Sequence, residues 1–293
     1  MEYSIKTYYI KVFISQTRLI FISFFLTFCT DNGLFDDPIH ISEDSIIKGT
    51  VYLSDDDSPE GVYIWLDGFQ LSTYTDQDGE FSIELPEPAA QAGEGLTGIF
   101  NLYYFVANYQ IQSSSILLVN GKIESNQGDV GRKGNIYPPV VLQKLLDIRT
   151  EIDPASIFTN YNESIITTVY LKNEIDTVHV RTYMNIYGNI SGLVITPEGG
   201  SADSSLMLRG TQPVLVEQYI TQPSIWNIGY KFSPGFFATG DYQFMPIIEI
   251  LQEGIPQELL NSLGENAYNF SLEYLNIPFK QTPGMLAVSL EED

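Results

Sequence analysis

Residues 47–86 read IKGTVYLSDDDSPEGVYIWLDGFQLSTYTDQDGEFSIELP, and the alternation in this stretch decides the fold class. Ile47, Gly49, Val51 and Leu53 alternate with Lys48, Thr50 and Tyr52, the two-residue period of a strand with one buried face. The polar run Asp55-Asp56-Asp57-Ser58-Pro59-Glu60-Gly61 then turns the chain into Val62-Tyr63-Ile64-Trp65-Leu66. Asp67-Gly68 and Asp76-Gln77-Asp78-Gly79 are further turns, each followed by a short apolar-alternating run, Leu71 to Thr75 and Phe81 to Leu85. Short strands divided by turn residues predict an antiparallel sandwich and not a parallel sheet with crossovers.

The same residues carry a family pattern: Gly49-x-Val51, then Pro59-x-Gly61-Val62-x-Ile64-x-Leu66, then Thr75-Asp76-x-Asp78-Gly79-x-Phe81 closing on Leu85-Pro86. In spacing and order the stretch resembles a carboxypeptidase regulatory-like domain, a transthyretin-like β-sandwich. The resemblance covers about 40 residues, which is one small-domain core of strands. Residues 101–142 fit the closing strands loosely, and Pro88 to Gly98 is read as an inserted loop. It implies an accessory module without catalysis. A zinc carboxypeptidase site needs two His and a Glu around an open metal position, whereas this chain has only His40 and His179, far apart and in no HxxE or HExxH motif. No catalytic residue, metal or cofactor is therefore expected.

Two features of this stretch are candidate sites. With Val62, Ile64 and Leu66 facing the core, Tyr63 and Trp65 must point to the opposite face, where they could stack on a sugar or anchor a protein. The plainer reading is that the second domain or the 88–98 loop covers them. Asp76-x-Asp78-Gly79 opens like a calcium loop, which makes Asp76 and Asp78 metal candidates. Its flanks read as strands, so the favoured role is a hairpin turn in which Asp caps backbone N–H groups and Gly takes a positive φ.

Thr150 to Pro154 reads as a linker. Beyond it, strand-like runs recur at 165–171, 177–187, 193–196, 205–209, 214–220, 225–231 and 241–251, separated by Gly, Pro and Asn. Seven such runs predict an immunoglobulin-like sandwich over 154–293. Pro256 to Leu263, stopped by Gly264, is the one helical candidate, and 268–290 could add edge strands. His179 lies between Val178 and Val180 on the less buried side of a strand. No Gly-x-Ser-x-Gly or phosphate cradle occurs.

The first 28 residues differ from the rest. Lys6, Lys11 and Arg18 precede the apolar run 19–28, which is too short to span a bilayer and suits an export signal. Leu26-Thr27-Phe28-Cys29 resembles a bacterial lipoprotein signal, although Phe28 stands where that pattern has a small residue. The resemblance implies lipidation of Cys29, the sole cysteine. Residues 29–45 follow as an acidic linker.

The expected architecture is thus all-β: two tandem antiparallel β-sandwiches, 46–149 carboxypeptidase regulatory-like and 154–293 immunoglobulin-like, after a signal peptide at 1–28. Lys and Arg number 14 against 37 Asp and Glu, a net charge of −23, and such a surface repels nucleic acid. The expected partners are a membrane, through the lipid anchor, and an envelope protein or glycan. The expected location is the bacterial cell envelope at the outer membrane, or otherwise the periplasm or the exterior. Function is read as non-catalytic binding or scaffolding. The alternatives are a carbohydrate-binding lipoprotein of a glycan-uptake system, resting on Tyr63 and Trp65, and an enzyme with an unrecognised carboxylate pair.

Overall fold

The alternation from Ile47 to Leu85 becomes four strands, β1 (Ile46–Leu53), β2 (Tyr63–Leu66), β3 (Leu71–Tyr74) and β4 (Glu80–Glu84). They come from a computed structural model that describes residues 45–290 apart from 92, 94, 201, 211 and 270. The signal segment, Cys29 and nearly all of the acidic linker lie outside the described residues. Four more strands complete the first sandwich: β5 (Gly98–Phe105), β6 (Gln112–Val119), β7 (Lys122–Ile123) and β8 (Val140–Leu142). One sheet has the order β4-β1-β8 and the other β3-β2-β5-β6-β7. Their facing sides share a core of Ile47, Val51, Val62, Ile64, Leu66, Leu102, Tyr104, Ile116, Leu118 and Leu142.

The residues of the sequence pattern meet one another in space. A Cβ on Gly49 would lie 2.9 Å from the Phe81 ring, and one on Gly79 (φ +78°) would lie 2.2 Å from the Val51 carbonyl oxygen and 3.1 Å from Pro59. Only glycine fits either place. Thr75 accepts a hydrogen bond from the Val62 N–H at 2.8 Å and donates to the Pro59 carbonyl. Among its described residues the 88–98 insertion holds no strand before Gly98, where β5 begins, and it is anchored by the buried Gln91, whose amide donates to the carbonyls of Pro86 and Gly121. One pairing differs from an all-antiparallel sandwich: β1 and β8 run parallel. The two are far apart in sequence, so no hairpin dictates their relative direction.

The second sandwich starts earlier than the sequence suggests. Strand β9 (Leu146–Asp153) runs through the segment read as a linker and pairs along its whole length with β11 (Ser164–Asn173). Leu146, Ile148, Thr150 and Ile152 are buried while Asp147, Glu151 and Asp153 point out. The polar half of an alternating strand, followed by Pro154, imitates a linker. The boundary between the two sandwiches therefore lies ahead of Leu146.

The remaining strands are β10 (Ser156–Phe158), β12 (Val178–Met184), β13 (Gly192–Pro197), β14 (Leu206–Arg209), β15 (Val214–Ile220), β16 (Ser224–Lys231), β17 (Gly240–Pro246), β18 (Ile248–Ile250) and β19 (Gly284–Ser289). They make a five-stranded sheet, β10-β19-β17-β13-β14, and two three-stranded sheets, β16-β11-β9 and β15-β12-β18. All three contribute to one core that includes Ile148, Val169, Leu171, Val180, Leu193, Trp226, Phe244, Ile248 and Leu286. The run 241–251 is two strands, because the chain leaves one sheet after Pro246 and enters another at Ile248. Strand β19 is no edge strand. It lies between β17, to which it is antiparallel, and β10, to which it is parallel. The helical candidate forms as α1 (Gln257–Leu263), ended by Gly264 at φ +147°.

Candidate functional site

Tyr63 and Trp65 do face away from the first sandwich's own core, but they are not exposed. Trp65 is 1% accessible and Tyr63 3%. They belong to a third apolar cluster with Phe105 from the same sheet, Ala107 in the turn after it, Val194 and Ile247 from the second sandwich, and Leu259, Leu263, Tyr274 and Ile277 from the segment between β18 and β19. The Tyr63 and Ser262 hydroxyls lie 2.8 Å apart, and Trp65 packs against Tyr103 at a ring-centroid distance of 5.9 Å. The assignment of Tyr63 and Trp65 as ligand-binding residues is thus corrected. Period-2 alternation says which side of a strand a residue takes and nothing about what covers that side. Here the cover is the second sandwich, as the plainer reading had it, with α1 inserted as a wedge.

Polar side chains rim this apolar joint. Fully buried Asn108 donates to the carbonyls of Leu146 (3.0 Å) and Lys280 (2.7 Å) and accepts from the Lys280 N–H (3.0 Å). Gln252 donates to the carbonyls of Ala107 and Tyr109 and accepts from the Ile111 N–H. Lys280 reaches the Glu60 carbonyl at 2.6 Å. Each amide satisfies main-chain groups that the joint would otherwise leave dry and unpaired.

Beside them, Lys144 forms ion pairs with Asp55 (2.8 Å) and Asp147 (3.1 Å), and its ammonium lies 5.7 Å from the Tyr109 ring centre. The Tyr109 hydroxyl donates to both Asp55 carboxylate oxygens, at 2.9 and 3.0 Å. Burial raises the Asp55 pKa, but hydrogen bonds from Lys144 and Tyr109 outweigh it and hold the carboxyl below its ordinary value. Burial lowers the Lys144 pKa, and its hydrogen bonds to Asp55 and Asp147 prevail to raise it. Burial and the Asp55 carboxylate together push the Tyr109 hydroxyl well up. Asp55 and Lys144 are thus held ionised and the Tyr109 hydroxyl protonated, as suits an electrostatic clasp and not a proton-transfer pair.

Asp76 uses its carboxylate within its own turn, accepting from the N–H groups of Asp78 (3.0 Å) and Glu80 (2.8 Å), while Gly79 donates to the Asp76 carbonyl. The turn reading therefore has a direct physical basis. No group of three or more His, Cys, Asp or Glu side chains arranged to hold a metal occurs among the described residues. Tyr74, half-exposed and 5.1 Å from the Tyr63 ring, stands between two open clefts. One, of about 510 Å³, is lined by Lys48, Thr50, Asp76, Glu80 and Asn135; the other, of about 550 Å³, by Gly61, Leu263, Leu275, Ile277 and Pro278. Sequence reasoning passed over Tyr74, although its place two residues before the Asp76 turn puts it on the rim.

A second polar array crosses the outer face of the β15-β12-β18 sheet. Arg181 on β12 grips Glu249 on β18 in bidentate fashion, at 2.6 and 2.7 Å, and its third nitrogen is 3.9 Å from Glu217 on β15. His179 stacks on Tyr219 with centroids 4.3 Å apart and planes 13° from parallel, and its Nε2 is 3.2 Å from the Glu217 carboxylate. His179 is thus on the less buried side of its strand, as alternation indicates.

No protein-family profile and no curated protein matches the chain. Solved structures similar to it include the Bacillus anthracis TIE protein, at 8% identity and TM-score 0.23, over 70% of this chain and 28% of that one. Two others are crystal structures of BcpA, the major pilin subunit of Bacillus cereus, both at 9% identity. A variant of it has TM-score 0.25 over 85% of this chain and 99% of the pilin; the second has TM-score 0.23, over 68% and 63%. The chain therefore spans little more than a quarter of the Bacillus anthracis protein. These values assign no family.

Proposed function

We propose that the protein is a non-catalytic scaffolding or binding module of the bacterial cell envelope, held to the membrane by lipid on Cys29. The observation that carries the scaffolding part is the third apolar cluster. The surface that could have been an aromatic binding face, Tyr63 and Trp65, is given over to joining two sandwiches into one body. Burial of these aromatics removes the residues on which a glycan-binding reading rests. The mutual packing of Gly49 with Phe81, Gly79 with Pro59, and Thr75 with Val62 and Pro59 supports the carboxypeptidase regulatory-like reading of the first sandwich. Anchoring rests on the sequence around Cys29, where two acyl chains would hold what one holds only marginally.

Both parts are testable on the full chain. Cys29→Ser should move the protein from the membrane to the soluble fraction, and unchanged fractionation would sink the anchor. The soluble Cys29→Ser chain should melt in one cooperative transition, followed in parallel by tryptophan fluorescence and circular dichroism. Two separate transitions would show that the sandwiches are independent and that the joint is no scaffold.

A further inference from the structure

We propose that the free edge of β15 takes an extended polypeptide strand bearing a cation flanked by apolar residues, adding a fourth strand to the β15-β12-β18 sheet. Strand β15 pairs with β12 from Ile220 to Val214, and among the described residues no strand pairs with its other side. An unpaired edge offers alternate N–H and C=O groups to any strand that can match its side chains. What would match is legible in the rows that cross the sheet.

The first row alternates in charge: Glu249 on β18, Arg181 on β12, Glu217 on β15. It ends on a carboxylate at the free edge. Arg181 is committed bidentately to Glu249, so Glu217 receives only a 3.9 Å contact from it and the 3.2 Å approach of His179, and its side chain is 50% exposed. A cation on a fourth strand would continue the row, since opposite charges directly across a ladder stabilise and like charges destabilise. The second row is the stacked pair His179 and Tyr219, with Tyr219 66% exposed. The third is Tyr183 and Leu215, with Leu215 also exposed. Leu215, Glu217 and Tyr219 share one face of β15 at successive two-residue steps. An antiparallel partner therefore reads, from its N-terminus, aromatic, any, basic, any, aliphatic.

A second copy of this chain does not fit. Symmetric antiparallel pairing about Glu217 would set Glu217 against the same residue of the other copy, and a shift of two residues would set it against Leu215 or Tyr219. The net charge of −23 adds long-range repulsion between copies and attraction for a cationic strand. Glu217 thus acts as a selector at the edge, refusing self-association and admitting a basic strand.

This inference supplies the scaffolding reading with a partner and rests on that reading only for its biological sense. The test uses the full chain and two synthetic peptides, Thr-Tyr-Thr-Arg-Thr-Ile-Thr and the same peptide with Glu in place of Arg, up to millimolar concentration. The arginine peptide should bind about tenfold more tightly than the glutamate peptide, the summed effect of gaining one cross-strand ion pair and avoiding one repulsion. It should also slow hydrogen exchange of the amides of residues 214–220. Glu217→Lys, which sets a lysine opposite Arg181 at a half-exposed edge position, should lower the melting temperature slightly, keep the melt cooperative and invert the peptide preference. Equal binding of the two peptides, no protection of 214–220, or a preference unmoved by Glu217→Lys would each overturn the proposal. Those failures are separate from the fractionation and melting results, which concern the anchor and the joint.

Discussion

The five-stranded sheet of the first sandwich has two apolar faces that close in different ways. Val62, Ile64 and Leu66 face a sheet encoded within the same hundred residues, and the core they enter is continuous in sequence from Ile47 to Leu142. Tyr63, Trp65, Phe105 and Ala107 face groups encoded as much as two hundred residues later, from Val194 to Ile277. The near face is purely aliphatic on β2, whereas the far face carries a tyrosine and a tryptophan and has amides and an ion pair at its rim. The difference follows from what each must do. A self-contained core needs only shape, while a joint between separately built layers must also satisfy main-chain groups of the loops that meet there.

The sharpest way to break this comparison is to empty one face at a time. Trp65→Ala should cost about 3–5 kcal/mol in urea unfolding, and Ile64→Ala about 2–5 kcal/mol, both as cavities in packed sites. The two should part company in hydrogen exchange. Trp65→Ala should expose residues 257–277 well below the global transition, and Ile64→Ala should not. Equal protection of 257–277 in both variants would mean that the joint and the near core are one structure.

A smaller effect should stay on the near side. Gly79→Val places a β-branched residue at φ +78° with its Cβ driven toward the Val51 carbonyl. The strain alone is about 1–3 kcal/mol. The melting temperature should fall, added calcium should not restore it, and exchange of 257–277 should be unaffected. A rise of several degrees with calcium in the parent chain would turn Asp76 and Asp78 into ligands.

The smallest effect is the pH response of the rim. Asp55 has a folded-state pKa below its unfolded value near 4, so its contribution is present above that unfolded value and is lost as pH falls through the lowered folded one. Because Asp55 and Asp147 are partly exposed, the contribution should be at most about 1 kcal/mol. Asp55→Asn should flatten the stability profile on the acid side of about pH 4 and leave that of neutral pH only slightly lower. A profile unchanged by Asp55→Asn would remove the clasp from the joint.

How much of this was legible in the sequence depended on the range over which each feature acts. The turn at Asp76-Gln77-Asp78-Gly79 is local, and it forms as read, with Asp76 capping two amides. The all-β sandwich class and α1 with its Gly264 stop were legible for the same reason. Strand β9 was lost to a composition signal, since Asp147, Arg149, Glu151 and Asp153 with Pro154 look like a linker until Leu146, Ile148, Thr150 and Ile152 are seen to be buried. The cover over Trp65, the Lys144 and Asp55 clasp, and the grip of Arg181 on Glu249 all join residues more than sixty positions apart. No window along the chain contains such a pair, so only the folded chain reveals them.

The position of α1 has a consequence for how the protein is made. Synthesis runs from the N-terminus at about 5–20 residues per second, and the residues that cover Tyr63 and Trp65 emerge some two hundred positions after them. For roughly ten to forty seconds the nascent chain holds a first sandwich able to close its own core but carrying a bare aromatic sheet face. Such a face is a target for holdase chaperones and for other copies of itself, and the late wedge of α1 is what ends that interval. The acidity of the chain, already 20 Asp and Glu against 9 Lys and Arg in residues 1–149, is then a safeguard in time as well as in space, keeping half-made copies apart until the cover arrives.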